Sequence, residues 1–274
     1  MMTLTRVAVY PLKSARGSAQ PSARVEPWGL AGDRRWMIID DDGAHVRPAV
    51  WPAIRNVTAL PGPDDAVILR TPGLADLRVL TPVTGEPVPT TLARVDRLFA
   101  AGPAAHAWLS EAIGRRVRLA WLDDPARRTV SADHGGLPGD TLNLADTGPL
   151  HLVSESSLRQ LDEWIAATAA ELGEAPPEPL DITRFRPNVV IDGAAPFAED
   201  QFTRVRIGDV PFRVSEPCAR CSTTMTEPTT LRRGREPLRT LARHRRRDRS
   251  VWFGVRMVPD GIGDIRVGDP VTAD

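Results

Sequence analysis

Val210-Pro211-Phe212-Arg213-Val214-Ser215-Glu216-Pro217-Cys218-Ala219-Arg220-Cys221-Ser222-Thr223-Thr224 is the stretch around which the chain is read. Its first part alternates apolar and polar residues, as a half-buried strand does. Pro217 blocks helix formation, so the cysteines are expected at a strand-to-loop turn. They are the only two cysteines in the protein. Arg220 stands directly before the second, and a hydroxyl run follows it.

Outward from this stretch the chain stays strand-rich. Upstream, residues 186–192 and 202–207 read as strands, and 251–258 and 265–271 downstream. Towards the N-terminus, 5–11, 34–40, 66–70 and 77–80 are extended, with a hairpin signal at Asp41-Asp42-Gly43. No helix is expected before residue 100. Residues 104–113 carry Trp108, Leu109 and Ile113 on one helical face, closed by Gly114. Ser154 suits the N-cap of a second helix bearing Leu158, Leu161 and Ile165. Residues 173–179 form a Pro/Glu break, and Pro237 opens a third helix. Residues 125–138 have few apolar side chains and read as a mobile surface loop. The expectation is an α+β fold built on a barrel or closed sheet.

The chain has 274 residues, 42% of them hydrophobic and 26% charged, enough for one large core or two modest ones. Basic and acidic side chains balance at 35 each, which argues against a protein built to coat nucleic acid. No apolar run approaches the roughly 20 residues needed to span a bilayer. Met1-Met2-Thr3-Leu4-Thr5-Arg6 lacks a secretory apolar stretch. A cytoplasmic protein without membrane attachment is expected. Two cysteines in that compartment suit reactive or metal-binding roles better than a disulfide framework. Lys13 is the only lysine, the other cations being arginine, so a compact ammonium at this position invites a function.

Four readings compete for the cysteine pair. It could be a structural accident. A four-ligand zinc site needs two further ligands, and His45, His106, His134, His151 and His244 are scattered. A thioredoxin-type dithiol expects a helix start, which the β-branched, proline-stopped run after Cys221 supplies poorly. A single thiolate for a soft or transition metal, with Arg220 and the hydroxyls holding an anionic ligand, uses every odd feature of the stretch. Arg184 and Arg186, read as strand residues, face one side, and Arg186 and Asn188 point together. Lys13-Ser14 with Arg16, and Arg34 after Gly32-Asp33, add donors at turns. The arginines between 232 and 249 read as a solvated basic helix, or as a docking face for an acidic redox partner.

Taken together, these stretches resemble the MOSC family, whose domain is named after the C-terminal part of molybdenum cofactor sulfurase. Tyr10-Pro11-Leu12-Lys13-Ser14 and Gly32-Asp33-Arg34-Arg35-Trp36 resemble its N-terminal signatures. Arg184-Phe185-Arg186-Pro187-Asn188-Val189-Val190 resembles the strand before its site, and Cys218-Ala219-Arg220-Cys221-Ser222-Thr223-Thr224 its cysteine motif. Ile265-Arg266-Val267-Gly268-Asp269-Pro270-Val271 resembles its closing strand. The resemblance implies a β-barrel MOSC domain at 121–274 and an N-terminal β-barrel-like region at 1–120, with the first strand (3–12) packing with the second domain.

It further implies that Cys221 ligates the molybdenum of a pterin cofactor (Mo-molybdopterin), with Cys218 a bystander. Lys13, Ser14, Arg34, Asp146, Thr147, Arg186, Asn188, Arg220 and Ser222 would contact that cofactor. After Thr224 the chain departs from the family pattern, which leaves Glu227 as the carboxylate beside the metal. The implied activity is reduction of N-hydroxylated compounds such as hydroxylamines and amidoximes. With no further cysteines, the electron donor is expected to be a separate ferredoxin-like or cytochrome b5-like protein. The alternatives are a sulfur carrier or cofactor-sulfuration protein using a Cys221 persulfide, a non-catalytic cofactor-delivery protein, and a nucleic-acid-binding module.

Overall fold

The computed structural model describes residues 1–175 and 177–274. The chain packs as two compact units, one of Met1–Val7, Pro21–Val25 and Leu150–Asp274, the other of Ala8–Gln20 and Glu26–Pro149. Residues 121–149 pack with the unit that holds Ala8–Gln20. Among the described residues no helix is long and apolar enough to cross a membrane.

The C-terminal unit is a closed seven-stranded barrel. Around it run Leu150–Ser154, Val189–Asp192, Met2–Val9, Pro270–Ala273, Arg204–Ile207, Val210–Ala219 and Ser250–Pro259, and the last pairs back to the first. Leu150–Ser154 and Val189–Asp192 are parallel, the other neighbours antiparallel. A parallel neighbour needs a crossover connection, and helix α2 (Glu155–Glu171) lies within it. Every residue of Leu150–Ser154 is buried, as are Val189, Val190 and Ile191. Continuous apolar runs are what a parallel pair covered on both faces requires. Leu161 and Ile165 of α2 and Leu241 of α3 (Leu238–His244) share a core with Val153, Phe185 and Phe253. The Phe185 and Phe253 rings stack at 4.1 Å.

The N-terminal unit holds two antiparallel sheets. One orders Trp36–Ile39, Arg118–Trp121, Arg97–Ala100 and Pro87–Pro89, and the other Thr58–Pro61, Val67–Arg70 and Leu77–Val79. Helix α1 (Pro103–Ile113) buries Leu109 and Ile113 and stops where Gly114 turns left-handed at φ 68°. Trp108 is half-buried and donates from Nε1 to Ala75 O at 2.7 Å. Short strands such as Ser18–Gln20, Thr58–Pro61, Pro87–Pro89 and Arg97–Ala100 have no counterpart in the sequence reading, because their prolines or brevity hide the alternation.

Several local expectations change. Strand pairing continues through Cys218 to Ala219, with register shifts between Val214 and Glu216 and between Pro217 and Ala219, so the first cysteine lies within a strand. Bulges of this kind accommodate a proline inside a ladder. Ile182–Phe185 is a 3-10 turn and Arg186 is left-handed at φ 55°, so the strand starts at Val189 and the expected Arg184/Arg186/Asn188 strand face does not form. Residues 265–271 are two strands parted by Gly268. Pro237 is the N-cap of α3 rather than its first residue. Arg239, Arg243 and Arg245 are paired with Glu174 and Glu236, Glu171, and Asp200, so the basic stretch is only partly free charge. Pro176, inside the expected 173–179 break, lies outside the described residues.

Candidate functional site

The barrel unit carries both cysteines, and it treats them differently. Cys218 is buried within the strand, whereas Cys221 is exposed as the N-cap of a 3-10 turn, Ser222–Met225. The Cys221 carbonyl accepts from Thr224 N at 3.1 Å and from Thr224 Oγ1 at 2.9 Å. Thr224 is 1% exposed, and its own carbonyl accepts from Arg184 Nη1 at 3.0 Å. An exposed sulfur is thus set on a turn that is pinned from below. Thr224 and Arg184 do this, and only their positions in the motifs, not their chemistry, marked them in the sequence.

Arg220 N donates to Val251 O at 2.8 Å, and its guanidinium reaches Cys218 Sγ at 2.9 Å, Phe185 O at 3.0 Å and His151 Nε2 at 3.5 Å. It also lies over the Phe185 ring at 5.3 Å. Burial alone would push the Cys218 thiol up, but Arg220, His151 and Arg256 outweigh it and hold the thiol well below its ordinary value. Burial pushes His151 down, and Cys218 offsets part of that. Nothing in the spacing of the histidines singles out His151. Its backbone is clamped by Asn188, which donates from N to His151 O at 2.9 Å and accepts at Oδ1 from His151 N at 3.2 Å. Asn188 is 1% exposed. Arg186 is half-buried, Ser222 exposed, and the Glu227 carboxylate accepts from the amides of Thr229 and Thr230, closing its own loop.

The N-terminal unit gathers a second cluster. Lys13, 6% exposed, donates from Nζ to Leu144 O at 2.8 Å and to Asp146. Burial pushes its pKa down, and Asp146 offsets part of that. Ser14 Oγ lies 3.2 Å from His45 Nε2, and burial, with Lys13 adding, pushes His45 down to about 3. Arg34 pairs with fully buried Asp33, which also accepts from Tyr10 N at 2.8 Å and Asn143 Nδ2 at 3.3 Å. Thr147 is half-buried beside exposed Asp146. The loop expected to be mobile instead buries Arg128, 1% exposed, whose guanidinium donates to the carbonyls of Asn143, Ala145 and Ala93. Ser14, Arg34 and Arg186 all adopt positive φ without being glycine. Such backbone strain collects at binding sites.

The donor set can be compared with the implied cofactor. No group of three or more His, Cys, Asp or Glu side chains among the described residues could hold a metal ion. One exposed cysteine sulfur therefore fits a metal that arrives with other ligands of its own. Arg184 Nε and Arg220 Nε are buried without a partner among the described residues. This leaves donor capacity beside the cysteine turn for an anionic group. The Lys13–Ser14–Arg34 cluster in the other unit offers a further cationic cradle.

A family model for the MOSC domain matches residues 139–272, and one for the MOSC N-terminal beta barrel domain matches residues 1–116. The chain is 30% identical to human mitochondrial amidoxime-reducing component 1, over 98% of this chain and 82% of that protein. It is 29% identical to molybdenum cofactor sulfurase of Oryza sativa, over 92% of this chain but 32% of that larger protein. Among solved structures, the YUAD protein of Bacillus subtilis is 10% identical with a TM-score of 0.43, over 99% of this chain and 94% of that one. The ordered motifs, the closed barrel and the full-length likeness agree, and the chain belongs to the MOSC family.

Proposed function

We propose that this protein is a molybdenum-cofactor-dependent oxidoreductase that reduces N-hydroxylated substrates, with Cys221 as the protein's ligand to the metal. The observation that carries this reading is the asymmetry of the cysteines: Cys221 is exposed on a turn fixed by Thr224 and Arg184, while Cys218 is buried. A thiolate suits a soft metal, and the likeness to an amidoxime-reducing component extends over 98% of the chain. When bound, the cofactor supplies the two-electron couple, and the protein supplies anchoring and electrostatics.

In the barrel unit Arg186, Asn188, Arg220 and Ser222 would contact the pterin cofactor; in the N-terminal unit Lys13, Ser14 and Arg34 would offer cationic and hydroxyl donors to an anionic group, with Asp146 and Thr147 at the edge of that cluster. Asp146 orients the Lys13 ammonium through its ion pair. Glu227 orders the loop after the cysteine turn through the amides of Thr229 and Thr230. The net reaction breaks the N–O bond: an N–OH group, two electrons and two protons give N–H and water. Electrons come from a separate redox protein of ferredoxin or cytochrome b5 type. The exposed arginines Arg232, Arg233, Arg246 and Arg249 would meet an acidic donor. A cytoplasmic setting goes with this reading.

The test is reduction of an amidoxime and a hydroxylamine by cofactor-loaded protein with a reduced viologen dye as donor. Turnover by the wild type and its loss in Cys221→Ala support the reading, and absence of turnover on both substrates overturns it. The likeness to molybdenum cofactor sulfurase supports a second reading, sulfur transfer through a Cys221 persulfide. It predicts cyanide-labile sulfur on the protein.

A further inference from the structure

We infer that Cys218 is a positioning residue, whose sulfur is the buried acceptor that fixes the Arg220 guanidinium and with it the backbone presenting Cys221. The inference rests on the reading of Cys221 as the functional thiol, and it replaces the expectation that Cys218 is a bystander.

The geometry is local. Arg220 is half-buried, and among the described residues no carboxylate lies within ion-pair distance of it. Its partners are Cys218 Sγ at 2.9 Å, the Phe185 carbonyl at 3.0 Å, the Val251 carbonyl at 2.8 Å from its own amide, and the His151 ring at 3.5 Å. A guanidinium withdrawn from water needs an anion or a full set of acceptors. Phe185 O supplies one acceptor, and Nε has none. Cys218 is the group in contact that can become an anion. The charged and titratable groups facing it are Arg220, His151 and Arg256, all of which favour the thiolate, and Arg256 is in turn paired with Glu216 at 3.5 Å.

The sulfur does what a serine hydroxyl cannot. A hydroxyl of the same shape accepts a hydrogen bond but does not ionise near neutral pH, whereas a thiol, at about 8.5 unperturbed, is within reach of a nearby cation. Arg220 directly precedes Cys221 in the chain, so its two anchors fix the peptide that carries the exposed sulfur. With the thiolate removed, the guanidinium keeps only Phe185 O and the His151 ring, and the Cys221 turn keeps only the bond from Arg220 N to Val251 O as its upstream restraint.

Two measurements test this, one of them independent of any cofactor. In Cys221→Ser protein, where Cys218 is the remaining thiol, far-ultraviolet thiolate absorbance is expected at neutral pH. It should vanish on unfolding at the same pH and in Cys221→Ser combined with Arg220→Leu. Folded Cys221→Ser protein lacking that absorbance overturns the inference. The second measurement is pterin content after loading, with Cys221 intact. Cys218→Ser should retain several-fold less pterin than wild type, and Cys218→Asp, which restores an anion, should recover part of the loss. Full pterin retention by folded Cys218→Ser also overturns the inference. Failure of the proposed reductase activity leaves the thiolate absorbance unchanged, so the two claims fail separately.

Discussion

Replacing Arg128 by methionine tests whether the N-terminal cluster is held from behind by a buried cation. Arg128 is 1% exposed, and burial pushes its guanidinium down to about 10. It donates from Nη1 to Asn143 O and to Ala145 O, the latter at 2.6 Å, and from Nε to Ala93 O at 3.3 Å. Two of these carbonyls flank Leu144, whose own carbonyl receives Lys13 Nζ. Methionine keeps the apolar stem and deletes the donors. Two short charge-assisted bonds at about 1.5–3 kcal/mol each suggest a gross loss of about 3–6 kcal/mol. Removing a desolvated charge returns part of it, so a net destabilisation of about 2–4 kcal/mol is expected in urea unfolding. Lys13 should lose its fixed carbonyl at the same time, and pterin retention should fall with stability. Arg128→Lys, which keeps charge but not the forked geometry, should be intermediate. A methionine variant within about 0.5 kcal/mol of wild type and fully loaded with pterin would refute the reasoning.

Two further outcomes follow from backbone and charge. Gly254 has φ +73°, and a Cβ there would lie 2.5 Å from Leu152 O and 2.6 Å from His151 Nε2. Gly254→Ala should therefore cost more than about 2 kcal/mol by urea unfolding, clearly exceeding Gly173→Ala, where the φ is also positive but nothing lies within 4 Å. His45 titrates at about 3 in the folded protein against 6.5 as a free side chain. Because its folded value is depressed, the stability it contributes is complete above 6.5 and is lost as pH falls towards 3, where the unfolded chain binds a proton the folded chain refuses. The fall in Tm across that window should be smaller in His45→Gln than in wild type, and equal falls would contradict the assignment.

The motifs were legible because they are short and local. Lys13-Ser14, Gly32-Asp33-Arg34 and the cysteine turn each sit where the sequence placed a turn. Strand-rich α+β organisation was legible from alternation and from the scarcity of helical periodicity. What escaped depends on pairing over distance. Pro217 reads as a strand breaker, yet it lies opposite Val255 at an irregular point of the ladder, which carries the strand past Cys218. Two cysteines of equal appearance thereby became one buried and one exposed. Arg186 reads as a strand residue because a positive φ in a non-glycine side chain leaves no mark on composition. Arg128 was hidden in a polar stretch whose buried partners are carbonyls rather than side chains. His151 could have been noticed: it stands in an otherwise apolar run, Leu150-His151-Leu152-Val153, where a polar group must find a partner inside.

The most direct measurement is metal and pterin content of the protein produced in a host that makes the molybdenum cofactor. Wild type is expected to hold stoichiometric molybdenum and pterin, and Cys221→Ala to lose the molybdenum. Wild type without molybdenum but with cyanide-labile sulfur that disappears in Cys221→Ala would contradict the account and make Cys221 a sulfur carrier.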